Sequence, residues 1–157
     1  MAEKPILYLI DGHSISFKAY YAVRGLTSPR GEATGAIFGF ARMMLKYIDE
    51  YRPRHLAVIF DTDKPTFRKK IYAGYKAGRE VPPPDFPKQM QWIQRLLEAM
   101  GVASYWLEGF EADDLIATMA RRMEGEGAAA RVLSADKDLL QLVSDRIEVL
   151  RPELDRI

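Results

Sequence analysis

Short apolar runs alternate with helix-like patterns along this chain, and that alternation limits the possible folds more than any other feature. Residues 7–10 and 56–60 are continuous apolar runs of the kind that form strands buried on both faces, and each is followed directly by an aspartate, Asp11 or Asp61. Three weaker runs are also predicted as strands: 102–107, 130–133 and 147–150, the last at a sheet edge. Strands alternating with helices predict an α/β domain with a mostly parallel central sheet flanked by helices.

Three segments between these strands carry apolar residues at helical spacing. They cover residues 37–48, 90–100 and 112–123, and Gly101 follows the second segment, where a helix commonly ends. A fourth, shorter helix is predicted from about Asp136. The sequence shows no internal repeat.

The chain has 157 residues, 48% of them hydrophobic, which suits one domain with a buried core. It contains no cysteine, and this excludes disulfide scaffolds, thiolate metal sites, iron–sulfur clusters and cysteine nucleophiles. No apolar run is long enough for a membrane span or a secretory signal, so we expect a soluble cytoplasmic protein without a membrane partner. The net charge is only +1, but nucleic-acid binding stays open because basic and acidic residues can be segregated along the chain.

Seven carboxylates are predicted to meet at one edge of the sheet, because the carboxyl ends of parallel strands share an edge, where open α/β folds bind ligands. Two of them end strands and five stand at predicted helix starts: Asp11, Asp61, Glu111, Asp113, Asp114, Asp136 and Asp138. Each close pair of like charges costs roughly 1–4 kcal/mol without a counterion. Oxygen-only ligands suit Mg²⁺ or Mn²⁺, and two such ions about 4 Å apart are a common device for hydrolysing phosphodiesters.

The acids also have a simpler interpretation. Carboxylates are favoured at helix N-termini, so Glu111 or Asp136 taken alone is better explained as a helix cap. The metal-site hypothesis therefore depends on all four segments together. The two histidines, His13 and His55, are isolated in sequence and indicate neither a metal nor a general base.

Residues 63–87 form an insertion without a core pattern, which is too long for an ordinary connection. Between residues 64 and 79 it contains bases interleaved with aromatic rings and no acid: Lys64, Phe67, Arg68, Lys69, Lys70, Tyr72, Tyr75, Lys76 and Arg79. Such a mixture suits a single-stranded nucleic acid, although a solvated helix face would also explain it. Because the insertion begins shortly after Asp61, we expect it to stand over the acids.

Six short motifs occur in a fixed order. They are LIDGH at 9–13, VIFD at 58–61, TFR at 66–68, YKAGR at 75–79, GFEADD at 109–114 and SADKD at 134–138. Together they resemble the 5′ nuclease domain of bacterial DNA polymerase I, within the wider flap endonuclease family, and the resemblance runs over essentially the whole chain. It implies a PIN-like, resolvase-like fold with a basic helical arch inserted at about 63–87.

The resemblance also implies roles for individual residues. The acids of the first metal would be Asp11, Asp61, Glu111, Asp113 and Asp114, and those of the second would be Asp136 and Asp138. Arg68, Lys76 and Arg79 of the arch would contact the scissile phosphate or the threaded strand, with Lys76 and Arg79 neutralising charge that develops on the phosphate. Tyr75 precedes the lysine as in the family, and Phe17 stands where an aromatic ring stacks on the terminal base.

The family's nuclease continues beyond this length, with more acids for the second metal and an element that grips duplex DNA. We therefore expect residues 1–157 to be a single domain, the N-terminal part of such a nuclease, with an incomplete second metal site. The expected function is a metal-dependent 5′-3′ exonuclease or flap endonuclease. It would act on DNA with a 5′ end or 5′ flap in the bacterial cytoplasm, as part of a DNA polymerase I whose polymerase region follows.

Three other functions compete with this one. A PIN-type ribonuclease and a catalytically incomplete DNA-binding domain stay open as alternatives. A haloacid-type phosphatase needs an acid two residues after the strand-end aspartate, and that position holds His13.

Overall fold

The computed structural model describes residues 5–78 and 81–152. Five strands form one parallel sheet in the order β3-β2-β1-β4-β5. Their bounds are β1 Ile6–Asp11, β2 His55–Ile59, β3 Ala103–Tyr105, β4 Ala129–Leu133 and β5 Ile147–Leu150. The predicted α/β class and the positions of all five predicted strands are confirmed, and β5 lies at an edge as expected.

Five α-helices and one 3₁₀ helix connect and cover the strands. They are α1 Gly12–Ala22, α2 Gly35–Tyr51, α3 Phe67–Ile71, α4 Phe86–Ala99, α5 Ala112–Gly125 and a 3₁₀ helix Asp138–Leu142. The three long predicted helices correspond to α2, α4 and α5, and the short one predicted near Asp136 is the 3₁₀ helix. Helix α1 was not predicted. Gly101 follows α4 with a φ of 68°, a left-handed conformation that glycine adopts without steric cost.

Both faces of the sheet are covered, which explains why its strands are almost continuously apolar. On one face, Tyr8 and Ile10 of β1 belong to a core that includes Ile15 of α1, Phe40 of α2 and Ile93 of α4. On the other face, Leu9 packs with Ile116 of α5 and Leu139 of the 3₁₀ helix. The alternation of neighbouring β1 residues between the two cores follows from the two-residue period of a strand.

The centre of the sheet is the point where the order of strands reverses. Ile10 of β1 lies opposite Val58 of β2 on one side and Leu133 of β4 on the other. The crevice beyond such a switch point is where open α/β folds bind ligands. Gly12 lets the chain turn there, since a Cβ at this position would lie 2.4 Å from the Phe60 ring.

Helix α4 begins at Phe86, at the end of the stretch of about 63–87 that was predicted as an insertion. The described part of this insertion consists of α3 followed by turns at residues 73–78. Arg79, one of the predicted site residues, lies outside the described residues. In the described part of the chain, no helix is both long and apolar enough to cross a membrane.

Candidate active site

A cleft of about 1250 Å³ opens at the carboxyl edge of the sheet. Five of the seven predicted carboxylates line it: Asp11, Asp61, Glu111, Asp113 and Asp136. They come from the ends of β1 and β2, from the start of α5, and from the segment after β4. The structure therefore gathers acids from all four sequence segments into one depression.

Asp11 is the most deeply placed of these acids, with only 4% of its surface exposed. Its Oδ2 accepts a hydrogen bond of 2.7 Å from the Ser134 hydroxyl, and its Oδ1 accepts one of 3.1 Å from the backbone N–H of Ser14. The pKa of Asp11 is raised to about 6, mainly by burial and to a smaller extent by the negative charges of Asp61 and Asp136. The two hydrogen bonds oppose this rise because they stabilise the ionised form.

Asp113 shows most clearly that the acids repel one another. Burial, together with the negative charges of Asp11, Asp136 and Asp61, raises the pKa of its carboxyl to about 7. Four carboxylates from four segments are thus close enough for each charge to disfavour the next. Such a group is stabilised by a cation.

Two hydrogen bonds fix the start of α5, one to the end of β2 and one within its own first turn. The backbone N–H of Ala112 donates a hydrogen bond of 2.8 Å to Asp61 Oδ1, which joins the end of β2 to the start of α5. The backbone N–H of Glu111 donates one of 3.0 Å to Asp114 Oδ2, within the first turn of the helix. The helix-cap interpretation of this acidic stretch is therefore partly right, since Asp114 satisfies a free N–H at the helix start.

Glu111 is already contacted by the insertion. Lys76 Nζ lies 2.9 Å from Glu111 Oε1, and the Tyr75 hydroxyl donates a hydrogen bond of 3.3 Å to Oε2. Arg68 approaches the same Oε2 at 3.6 Å. The described part of the insertion therefore does more than stand over the acids, because its bases make ion pairs with them.

Asp114 is held by Arg68 and does not line the cleft. Both terminal nitrogens of the guanidinium donate to it, at 2.7 and 2.6 Å, in the two-pronged geometry that arginine and carboxylate favour. These hydrogen bonds lower the pKa of the Asp114 carboxyl. Three predicted site residues of the insertion, Arg68, Tyr75 and Lys76, therefore contact acids of the protein itself in this structure.

Asp138 differs in position from the other predicted ligands. It is exposed and outside the cleft, and its backbone N–H donates a hydrogen bond of 2.9 Å to Asp136 Oδ1. Phe17 lines the cleft and its ring stacks on Phe86, with centroids 4.1 Å apart. Phe17 thus lies in the same cleft as the acids, with a protein ring as its neighbour.

The chemistry of the donors fits a hard divalent cation, because the cleft offers several carboxylate oxygens and no sulfur. Their arrangement is looser than a formed site. Among residues 5–78 and 81–152, no three acidic, histidine or cysteine side chains are close enough together to hold a metal ion. The contacts of Lys76 and Arg68 give a physical reason, since ammonium and guanidinium groups already neutralise Glu111 and Asp114.

Three residues of the site were missed by sequence reasoning. The Ser134 hydroxyl bonds Asp11 and also accepts the backbone N–H of Asp136 at 3.0 Å, while the Ser14 hydroxyl accepts that of Ala135 at 3.0 Å. Both serines lie near a strand end, a position that could have marked them as candidates. His13 is isolated in sequence, yet its Nδ1 accepts the backbone N–H of Asp61 at 3.1 Å.

The family model and the sequence relatives that match this chain agree on one family. A family model described as "5′-3′ exonuclease, N-terminal resolvase-like domain" matches residues 6–157. Thermostable DNA polymerase I of Thermus aquaticus is 46% identical over 145 residues, which cover 92% of this chain and 17% of that protein. DNA polymerase I of Bacillus subtilis is 40% identical over 149 residues, covering 95% and 17%. The chain thus spans about a sixth of the length of these relatives.

Solved structures show the same fold at low sequence identity. A bacteriophage T5 flap endonuclease, in a pseudo-enzyme–product complex with DNA and metal ions, has a TM-score of 0.71 and 16% identity, covering 93% of this chain and 54% of that one. A T5 5′-exonuclease with bound divalent zinc has a TM-score of 0.67 and 17% identity, covering 93% and 55%. The match confirms the expected PIN-like architecture, and both neighbours were solved with metal ions.

Proposed function

The chain belongs to the 5′-3′ exonuclease family, as an N-terminal, resolvase-like domain, and from this membership we propose that it hydrolyses DNA phosphodiesters at 5′ ends or flap junctions with divalent metal ions. The observation that carries the proposal is the meeting of four acid-bearing segments in one cleft, with the pKa of Asp11 raised to about 6 and that of Asp113 to about 7. In the parent DNA polymerase I, which we place in the bacterial cytoplasm, this part would be the nuclease.

The carboxylates in and beside the cleft would hold the metal ions. We assign Asp11, Asp61, Glu111 and Asp113 to the first Mg²⁺ or Mn²⁺, with Asp114 beside them. Asp136 and Asp138 would contribute to a second site. When bound, such ions supply an activated water and stabilise charge on the reacting phosphate.

The chain's own bases would position the substrate and stabilise its charge. Lys76 and Arg68 now make ion pairs with Glu111 and Asp114. A phosphate entering the cleft offers these cations a new anionic partner, while metal offers the acids a new cationic one. The exchange leaves every charge paired, so it costs little electrostatic energy. Lys76 and Arg79 would then neutralise the developing phosphate charge.

The remaining site residues would orient the substrate and the acids. We propose that Phe17 and Tyr75 pack against the bases next to the cut. The Ser134 hydroxyl and the Ser14 backbone N–H orient Asp11 and favour its ionised form through the hydrogen bonds described above. His13 fixes the backbone at Asp61 through its Nδ1. These three residues are positioning residues, because each acts through a carboxylate or its backbone.

One observation favours a second candidate, a DNA-binding domain that is catalytically incomplete. Within the two described ranges, no three potential ligands converge, and two of the acids already have basic partners. A domain that binds DNA through the insertion and never gathers metal would show the same contacts.

A cleavage assay separates these functions. The chain is incubated with 5′-flapped DNA and with single-stranded RNA, in Mg²⁺, in Mn²⁺ and in EDTA. We expect metal-dependent cleavage of the flapped DNA that is lost in EDTA and in Asp11→Asn, and kept in Asp49→Asn, whose carboxylate is on the surface of α2. Preferred cleavage of RNA would indicate a ribonuclease. DNA binding without cleavage in either metal would support the incomplete domain.

A further inference from the structure

A polar network joins three helices beside the cleft, and none of its residues has a role in the proposed reaction so far. It consists of Tyr20 in α1, Asp85 directly before α4, Gln89 within α4 and the backbone N–H of Ala36 in α2. We call it the Asp85 network. Three helices that lie far apart in sequence are therefore connected through one carboxylate.

The donors and acceptors of the Asp85 network have only one consistent arrangement. The backbone N–H of Ala36 can only donate, and it lies 2.7 Å from Oε1 of the buried Gln89, which therefore accepts. The other amide atom of Gln89, Nε2, must then donate, and it lies 3.1 Å from Asp85 Oδ2. The Tyr20 hydroxyl donates to Asp85 Oδ1 at 2.9 Å. Both oxygens of Asp85 are thus acceptors, which suits a carboxylate and does not suit the amide of an asparagine.

Asp85 occupies the N-cap position of α4, where an aspartate ordinarily accepts a hydrogen bond from a backbone N–H of the first turn. Among the described residues its side chain makes no such cap, and both oxygens accept from side chains instead. Its negative charge still favours the start of the helix. The distinctive contribution of Asp85 is therefore to hold α4 against α1.

The same contact supports two aromatic rings of the cleft. The Tyr20 ring packs edge-on against the Phe86 ring, with centroids 5.6 Å apart, and Phe86 stacks on Phe17 at 4.1 Å with 17° between the ring planes. Phe86 and Phe17 both line the cleft. Phe86 is only 3% exposed, so it is fixed by the core around it. A shift of α1 against α4 would separate the stacked rings and release Phe17 to take other rotamers.

We propose that Asp85 is a positioning residue, which acts through Tyr20 to hold the Phe17 ring in place for a base of the substrate. This inference rests on the proposed function, in which Phe17 packs against a base next to the cut. A ring that is already fixed loses little rotamer freedom when a base stacks on it, so less entropy is lost on binding. Loss of the Asp85 network should therefore weaken the part of DNA binding that depends on that base.

NMR of the aromatic rings tests the position of Phe17 without DNA. Its ring lies within the ring current of the stacked Phe86, which displaces its proton signals upfield. In Tyr20→Phe, which removes only the hydroxyl, these signals should broaden and move towards their ordinary positions. Phe17→Leu identifies them, because they are missing from its spectrum. The matched control is Tyr105→Phe, which removes another tyrosine hydroxyl at an exposed position of β3 and should leave them unchanged.

Two substrates distinguish a positioning role from a general loss of stability. One is a 5′-flapped DNA, and the other is the same DNA without the base next to the cut. Tyr20→Phe should raise KM about fivefold on the first, from the loss of one hydrogen bond, with kcat nearly unchanged, and should have little effect on the second. Asp85→Asn should act in the same direction, and adding Tyr20→Phe to it should change little more, since both remove one contact. Fluorescence anisotropy in EDTA measures binding to both substrates without cleavage.

The outcomes separate this inference from the proposed function. Base-dependent binding that Tyr20→Phe weakens, without cleavage in Mg²⁺ or Mn²⁺, would support the positioning role and overturn the nuclease proposal. Normal cleavage, with Phe17 signals that move in neither Tyr20→Phe nor Asp85→Asn, would keep the nuclease and overturn the positioning role. Equal rises in KM on the two substrates would also overturn it, because the Asp85 network would then only stabilise the fold.

Discussion

The ammonium nitrogen of Lys76 lies 2.9 Å from Oε1 of Glu111, so the insertion places its own cation on a carboxylate that we assign to metal. The same lysine has a φ of 56°, a left-handed conformation that is uncommon outside glycine. The local backbone at Lys76 therefore has an unusual conformation where its side chain pairs with Glu111. Metal and Lys76 must therefore compete for Glu111.

Replacing Lys76 should strengthen metal binding. In Lys76→Gln, an entering Mn²⁺ no longer displaces an ammonium group, and we expect about fivefold tighter binding, since a partly exposed ion pair contributes about 1 kcal/mol. Calorimetric titration with Mn²⁺ measures this directly. Lys70→Gln is the control, because it removes the same charge from an exposed position of the insertion. Equal affinities for the parent and both variants would show that Lys76 does not compete.

Asp113→Asn should make the metal-free protein more stable, by a margin that grows with pH. The carboxyl has a pKa of about 7 in the folded chain, against 3.8 as the ordinary value. Between pH 4 and 7 the unfolded chain is therefore ionised while the folded chain still holds the proton, and stability falls as pH rises. Asparagine removes this loss, which we put at about 1 kcal/mol at pH 8 after solvent screening.

Urea denaturation in EDTA at pH 4 and pH 8 measures that margin. Asp11, with a pKa of about 6, adds to the pH dependence in the same direction in both proteins. The surface variant Asp49→Asn serves as the control and should follow the parent. A constant difference between Asp113→Asn and the parent at both pH values would contradict the prediction.

Ser134→Ala should destabilise the protein and raise the pKa of Asp11 further. The buried hydroxyl donates the 2.7 Å hydrogen bond that favours the ionised carboxylate, and its loss should cost about 2 kcal/mol at pH 8. The cost should shrink at low pH, where Asp11 is protonated. Thermal and urea unfolding measure it, with Ser104→Ala in β3 as the matched control.

Arg68→Lys should loosen the insertion while keeping its charge. Lysine cannot reproduce the two hydrogen bonds of the guanidinium to Asp114. We therefore expect faster amide hydrogen exchange across α3, by roughly fivefold, from the loss of about 1 kcal/mol. The exchange of α5 should change little beyond its first turn. Unchanged exchange in α3 would show that other contacts hold the insertion in place.

The acids could be placed from sequence because topology alone determines where a strand ends. Asp11 and Asp61 directly follow buried runs, and any parallel sheet brings such positions to one edge. Helix α1 could not be found in this way. Its apolar residues are spread around most of the helix, so they do not form the one-sided pattern that predicts an amphipathic helix. Its fully buried positions include Gly12 and Ser16, which carry little or no apolar signal.

Contacts between segments were harder to predict. The pairing of Arg68 with Asp114 depends on how the insertion folds back over α5, and no periodic pattern in the insertion encodes that path. The position of Ser134 after a strand end is only a weak signal, since a serine there is common in turns. The sequence thus predicts which segments meet at the cleft, whereas the partner of each charge within it depends on tertiary packing.

The central position of β1 has a consequence for the order in which this protein is made. Asp11 needs Ser134 as its hydrogen-bond partner, and 123 residues of chain separate the two. On the ribosome, β1 can pair with β2 early, but its other side stays open until β4 emerges. Pairing over such long distances is slow because much of the chain must be ordered first. A nascent chain therefore cannot complete the acidic cleft before almost all of the described residues have been translated.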